Sequence, residues 1–330
     1  MNHLHEGYTS RPATLANVER IAALFNAIAR SVSAHDTMPA SSFRMLLSAP
    51  GFDIASSTHL VTAADGTIAG FVELFDFEEP HTHIWGHALT AIDHRGRGIE
   101  EALHAWILHR SQETVPKAPA GERVFVEQVV SSKDAQAIAF LESKGYEHTR
   151  SYIRMAFDLA EPIAEPALPD GFSVAPIDPG RDLDEYLRAK VDAFRNHYGR
   201  GDLSDEQQVA FHRHLTLSNP DFDPSLHLAV RERASGEIVG ICSAMPSDGI
   251  DTDAGGIPGV AVRRPWRRRG LATALLLHMF HTLKRRGKRA AVLRVDSRNP
   301  TGATGLYAKA GMREEDRNFE FQLTIRPARA

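Results

Sequence analysis

Apolar residues recur at helical spacing at Leu271, Leu275, Met279 and Leu283, one basic turn after an apolar run that ends in Val260, Ala261 and Val262. The pattern predicts a buried strand over Ile257–Val262, a basic turn over Arg263–Arg269, and a helix starting at Gly270. Lys284, Arg285 and Arg286 suit the last turn of that helix, and Gly287 supplies a left-handed residue to close it. A second strand is predicted over Arg289–Val295, broken by Asp296-Ser-Arg-Asn-Pro300. A short helix follows, carrying Leu306 and Tyr307 and ending at Gly311 and Met312.

The same pattern occurs twice. Phe43 to Asp53 followed by His59-Leu60 echoes Phe211 to Asp223 followed by His227-Leu228. Each copy runs into a strand–turn–strand, Leu60–Phe75 around Asp65-Gly66 and Leu228–Ala244 around Ser235-Gly236. Arg95-Gly-Arg-Gly-Ile99 answers Arg267–Leu271, and Phe140–Tyr146 answers Leu306–Met312. A period of this length is a duplicated domain, not a solenoid. The stretch Ala160–Gly171 carries three prolines and reads as a semi-rigid linker, which places the boundary between residues 1–162 and 163–330.

The turn before Gly270 has a chemical use. The first turn of a helix leaves amide N–H groups unpaired at the positive end of the peptide dipoles, which seats a phosphate. Gly270 removes a Cβ where an anion approaches, Ala272 keeps the next inward position small, and Arg267, Arg268 and Arg269 attract phosphate oxygens. It is neither a Walker loop nor a dinucleotide fingerprint, for want of the Gly-Lys-Ser/Thr and the extra glycines.

This arrangement, Arg267-x-x-Gly270-x-Ala272 after a strand, followed by Asn299-Pro-Thr-Gly-Ala, Leu306-Tyr307 and Gly311-Met312, resembles the GNAT N-acetyltransferase superfamily. The resemblance implies two tandem α/β domains (α+β mixed sheets), each a mostly antiparallel mixed sheet flanked by helices. It further implies acetyl-CoA as co-substrate and an amine acceptor, either a small molecule or a peptide. The pyrophosphate would sit on Arg267, Arg268, Arg269, Gly270, Leu271, Ala272 and Thr273. Free amides of Val260, Ala261 and Val262 would hold the pantetheine arm where two strands splay, and Asn299 would complete the binding set. Tyr307 would protonate the departing thiolate, a task that suits a phenol of pKa about 10. Tandem superfamily chains with one inactive copy, mycothiol synthase and its relatives, share this architecture, but nothing in the sequence ties this chain to that glycoside.

The copies differ in chemistry. Glu100 stands where the second has Ala272, and a carboxylate there competes with a pyrophosphate for the helix dipole. Leu141 stands in place of Tyr307 and has no proton to give. The first copy is therefore expected to be catalytically degenerate, serving as a structural or substrate-shaping partner.

An attacking ammonium must first lose a proton. Asp253 is the base candidate, with Asp251 beside it, and the predicted helix Ser204–Leu217 offers Glu206, His212 and His214. Phe194–Gly201 is a candidate lip of the acceptor pocket. A formal net charge of −4 gives no basic field for nucleic acid, and no apolar stretch is long enough to span a bilayer. The single cysteine, Cys242, excludes an internal disulfide and fits a reducing cytoplasm, and the N-terminus lacks a signal core. His3 and His5 lack further ligands, so no metal is expected. A coenzyme-A-binding sensor or scaffold without turnover is the alternative, although it would have no use for a leaving-group acid. The sequence is silent on oligomeric state.

Overall fold

The computed structural model describes residues 4, 6–32, 37–49, 51–77, 79–195, 204–219, 222–248, 251–299 and 302–329. The first half of the chain forms β1 (Tyr8–Arg11), α1 (Val18–Val32), α2 (Ala40–Leu47), α3 (Ile54–Ser57), β2 (Thr58–Ala63), β3 (Ile68–Phe75), β4 (His83–Thr90), α4 (Ile99–Thr114), β5 (Val124–Ser131), α5 (Ala135–Ser143) and β6 (Glu147–Asp158). The second half repeats the order with β7 (Phe172–Pro176), α6 (Pro179–Ala193), α7 (Asp205–Ser218), β8 (His227–Glu232), β9 (Ile238–Met245), β10 (Ala254–Val262), α8 (Leu271–Arg285), β11 (Ala290–Asp296), α9 (Ala303–Lys309) and β12 (Arg313–Arg326).

Two compact units result, residues 1–152 with 316–330, and residues 153–315. The division thus falls after Tyr152, not after Pro162, and the proline-rich stretch lies wholly inside the second unit. Hydrogen bonding explains the difference. In the first unit Asn318–Arg326 of β12 pair antiparallel with β5, so the end of the chain completes the first copy's sheet. In the second, residues 153–158 of β6 lie next to β11, and Leu159 N–H donates to the Arg289 carbonyl at 2.9 Å. Strand partners set the units, and composition cannot report them.

Each unit carries a mixed sheet, mostly antiparallel, with one parallel pairing in the middle: β4 with β5, and β10 with β11. Helices pack on both faces. In the second unit, Leu228, Val230, Val239 and Cys242 face α8 and α9, and Ala229 and Ile241 face α6. Leu275, Leu276, Met279, Phe280 and Leu283 of α8 are all fully buried, worth about 1.5–3 kcal/mol each in transfer free energy, so packing anchors this helix. Its C-terminus closes as the sequence implied: Gly287 has φ 74, its N–H reaches the Lys284 carbonyl, and Lys288 N–H reaches Leu283. Ser204 opens α7 in a capping box with Gln207.

The histidine echo between the copies is one residue out of register. Gly70 pairs with Thr90 and Gly240 with Val262, which aligns β3 with β9. Thr58 then pairs with Glu73 and His227 with the equivalent Ser243, so Thr58 is the counterpart of His227. A shift of one along a strand moves a side chain to the opposite face. Among the described residues, no helix is long and apolar enough to cross a membrane.

Candidate active site

The basic turn joins β10 to α8 through two left-handed residues, Arg268 at φ 65 and Gly270 at φ 80. Alternation of this kind makes a concave nest of amides. The helical ladder begins only with Ala274 N–H on the Gly270 carbonyl, at 3.0 Å. The amides of Arg268 through Thr273 therefore have no acceptor among the described residues, and a Cβ built at Gly270 meets nothing within 4 Å. Arg268, Arg269 and Gly270 are exposed, so their amides stand open to solvent and cost the fold little. Such a set of donors fits a pyrophosphate.

The arginines divide their tasks. Arg267 donates from Nε to the Val262 carbonyl and from Nη2 to the Ala193 carbonyl, both at 2.9 Å, so it clamps the turn and is not the phosphate fork the sequence implied. Arg268 makes no bond with the described residues, and Arg269 reaches only the Pro265 carbonyl at 3.5 Å. Those two are exposed and free to meet an anion. Leu271 is buried in the core, which leaves only its amide for the seat.

Next to this turn the sheet opens. β10 pairs with β11 from Ala254↔Ala290 only as far as Gly256↔Val292. At that point its register with β9 slips between Gly256 and Gly259, after which Gly259–Val262 pair with β9 alone. Arg263 N–H donates to Val239 on the β9 side, so by antiparallel alternation Ala261 also turns toward β9, whereas Val260 and Val262 turn away into the gap. The Val262 carbonyl meets the Arg267 clamp there.

Tyr307 lies on α9, buried in the cluster that holds Cys242, which is Val260's partner across β9. Its hydroxyl has no bond with the described residues. Burial, with the Cys242 thiol adding to it, pushes Tyr307 up to about 12. Asn299 closes the turn into α9, its N–H on the Asp296 carbonyl and its carbonyl taking Gly302 N–H. Pro300 and Thr301 of the motif lie outside the described residues, as do His3, His5 and residues 196–201 of the lip.

On the acceptor side the sequence candidates scatter. Asp253 is an exposed turn residue whose N–H meets Asp251 Oδ1 at 2.8 Å and whose carbonyl takes Arg289 N–H at 2.7 Å. It sits at the start of β10, about 20 Å along the strand from Val260, and is not brought to the opening. Asp251 pairs with Arg289 at 2.7 Å. Glu206 and His214 are exposed on α7.

His212 is half-buried, its Nδ1 3.4 Å from Lys190 Nζ on α6. Beside them lies His227, which the sequence reading passed over. His227, Ser243 and Gly259 are paired in a row across β8, β9 and β10, at the point where β10 bulges. A Cβ at Gly259 would lie 3.5 Å from the Phe194 ring and 3.8 Å from Ser243 Oγ, so this glycine keeps a space open between them. The Asp223 carbonyl lies 3.1 Å from His227 Nδ1 and can only accept, which leaves the lone pair of the neutral ring on Nε2. Burial lowers the pKa of His227, with Lys190 adding to the effect. Lys190 and His212 are likewise lowered, mainly by burial. A histidine at the head of a strand carries no spacing signal, so only cross-strand register finds it.

The model of the acetyltransferase (GNAT) family matches this chain twice, over residues 22–146 and 191–312. The chain belongs to the GNAT family. It is 30% identical to a mycothiol acetyltransferase of Streptomyces griseus over 90% of this chain and 88% of that one. A mycothiol acetyltransferase of Thermobispora bispora is 29% identical over 74% of this chain and 76% of its own length. Among solved structures, a GCN5-related N-acetyltransferase from Sphaerobacter thermophilus superposes with TM-score 0.83 at 29% identity, covering 99% of this chain and 98% of that one. A tandem GNAT protein of the clavulanic acid biosynthesis pathway shares the fold, with TM-score 0.72 at 16% identity over 98% and 100% of the two chains. The chain is thus a tandem GNAT-type N-acetyltransferase.

The two GNAT copies differ at the seat. In the first, Glu100 Oε1 accepts from Gly96 N–H at 3.2 Å, so the protein's own carboxylate occupies an amide of the turn. Arg95, the counterpart of Arg267, is held by Asp134 at 2.6 and 2.9 Å. Leu141 is buried where the second GNAT copy has Tyr307. Among the described residues no group of three or more His, Cys, Asp or Glu side chains could hold a metal ion.

Proposed function

We propose that residues 153–315 carry the acetyl transfer, from acetyl-CoA to a primary amine by direct attack, and that the first copy is catalytically degenerate. The observation that carries this reading is the set of unpaired amides from Arg268 to Thr273 beside an opened strand, set against the plugged turn of the first copy. Acetyl-CoA supplies a thioester whose carbonyl is open to attack. The amides at Arg268–Thr273, with Arg268 and Arg269, hold the diphosphate, and the Val260 and Val262 amides orient the arm and polarise the carbonyl. His227 Nε2 takes the ammonium proton through the Ser243 hydroxyl, since two strand spacings, about 10 Å, separate the His227 and Gly259 backbones. Tyr307 hands its proton to the leaving sulfur.

A thiol-release screen of diverse primary amines with acetyl-CoA tests the proposal, and the acceptor of mycothiol acetyltransferase belongs first in that panel. Release that depends on one amine class supports it. Tight acetyl-CoA binding with no release across the panel leaves a non-catalytic coenzyme sensor.

A further inference from the structure

The first copy keeps a different site on the sheet face under α1. Strand alternation puts Phe71, Glu73 and Phe75 of β3 on that face, and cross-strand pairing sets Glu73 opposite His87 and Phe75 opposite Trp85. Glu73 and His87 stand at the register positions where the second copy has Ser243 opposite Gly259. Where the second copy keeps space, the first has installed an acid and an imidazole.

The acid is incompletely satisfied. Glu73 is 1% exposed, and its Oε1 lies 3.2 Å from His87 Nδ1. Its Oε2 is buried and has no partner among the described residues. The other carboxylates on this face are answered: Glu320 accepts from Thr149 at 2.7 Å and from Tyr152 and Gln322 at 2.9 Å, and Glu127 pairs with His83 at 3.0 Å. Around Glu73 runs a band of partly exposed rings. Phe75 and Trp85 are 5.1 Å apart, Trp85 and His87 5.8 Å, and His87 and Phe25 of α1 5.6 Å. A lone carboxylate oxygen inside an aromatic wall is complementary to an ammonium group carrying apolar substituents, because the oxygen takes an N–H and the ring faces take the positive charge.

We propose that the first unit binds an organic ammonium ion, with one N–H on Glu73 Oε2 and its apolar part against Trp85, Phe75 and Phe25. Anions are rejected by Glu73 and Glu127. This site needs neither the amide seat of the second copy nor turnover.

Phenethylammonium is the probe, titrated calorimetrically into the full chain without acetyl-CoA, with phenylacetate as the anionic control of similar shape. The expected result is saturable phenethylammonium binding that quenches tryptophan fluorescence, persists in Tyr307→Phe and His227→Gln, and weakens about tenfold or more in Glu73→Gln and in Trp85→Leu. Phenylacetate should not bind. The proposal is overturned if both first-unit variants bind phenethylammonium like the parent, if phenylacetate binds as well as the amine, if the binding disappears in the second-unit variants, or if the parent shows none. Since no step reads acetyl transfer, each of those outcomes leaves the transferase proposal standing.

Discussion

Ala272→Glu copies the plug of the first GNAT unit into the second. Ala272 is the second residue of α8, and its amide is among those from Arg268 to Thr273 that have no acceptor among the described residues. In the first unit, the equivalent Glu100 reaches the Gly96 amide at 3.2 Å, so a glutamate at 272 has a demonstrated geometry for reaching the Arg268 amide. The loss of one charge-assisted hydrogen bond to a diphosphate is worth about 1.5–3 kcal/mol, and a like charge in the first helical turn adds about 0.3–1 kcal/mol. The sum, about 2–4 kcal/mol, corresponds to a roughly 30- to 1000-fold rise in the Kd for acetyl-CoA. The coenzyme-free fold should not suffer, because an acid near a helix N-terminus stabilises it by about 0.3–1 kcal/mol. Isothermal titration with acetyl-CoA measures the first quantity and a thermal melt the second. Binding within threefold of the parent, in a variant that melts normally, would show that the coenzyme does not use these amides, and the transferase reading of this turn would fail.

Further outcomes follow from the same geometry. Tyr307→Phe should slow thiol release by about 10²–10⁴ with little change in coenzyme affinity, and with little change in melting temperature because the hydroxyl makes no bond with the described residues. Because His227 and His212 have folded pKa values below the unfolded 6.5, the unfolded chain binds more protons once the pH drops below about 6.5. Stability is therefore full above that pH and falls below it, and His227→Gln should flatten part of this slope in melts across the acid range. With His227 as proton acceptor, the acid limb of thiol release lies below pH 6.5, and Lys190→Met should move it upward by removing the positive charge that lowers His227; an unmoved limb counts against the assignment. Gly256→Ala places a Cβ 2.9 Å from the Asp248 backbone and the Ser247 carbonyl, and should cost about 1–3 kcal/mol in denaturant titration by forcing that backbone to shift.

What the chain determines alone is local. The run from Val260 to Leu283 encodes strand, turn and helix, because burial period, a left-handed Gly270 and a Gly287 stop are all properties of neighbouring residues. The inequality of the copies was legible in Glu100 and Leu141 for the same reason: each alters chemistry at a position the motif already fixes. Tertiary structure decided the rest. Arg267 became a clamp because folding brought the Val262 and Ala193 carbonyls to it, Asp253 fell at the far end of β10, and β12 crossed to pair with β5. His227 meets Ser243 and Gly259 only through cross-strand register, which joins residues far apart in the chain and flips a side chain's face with each single-residue shift.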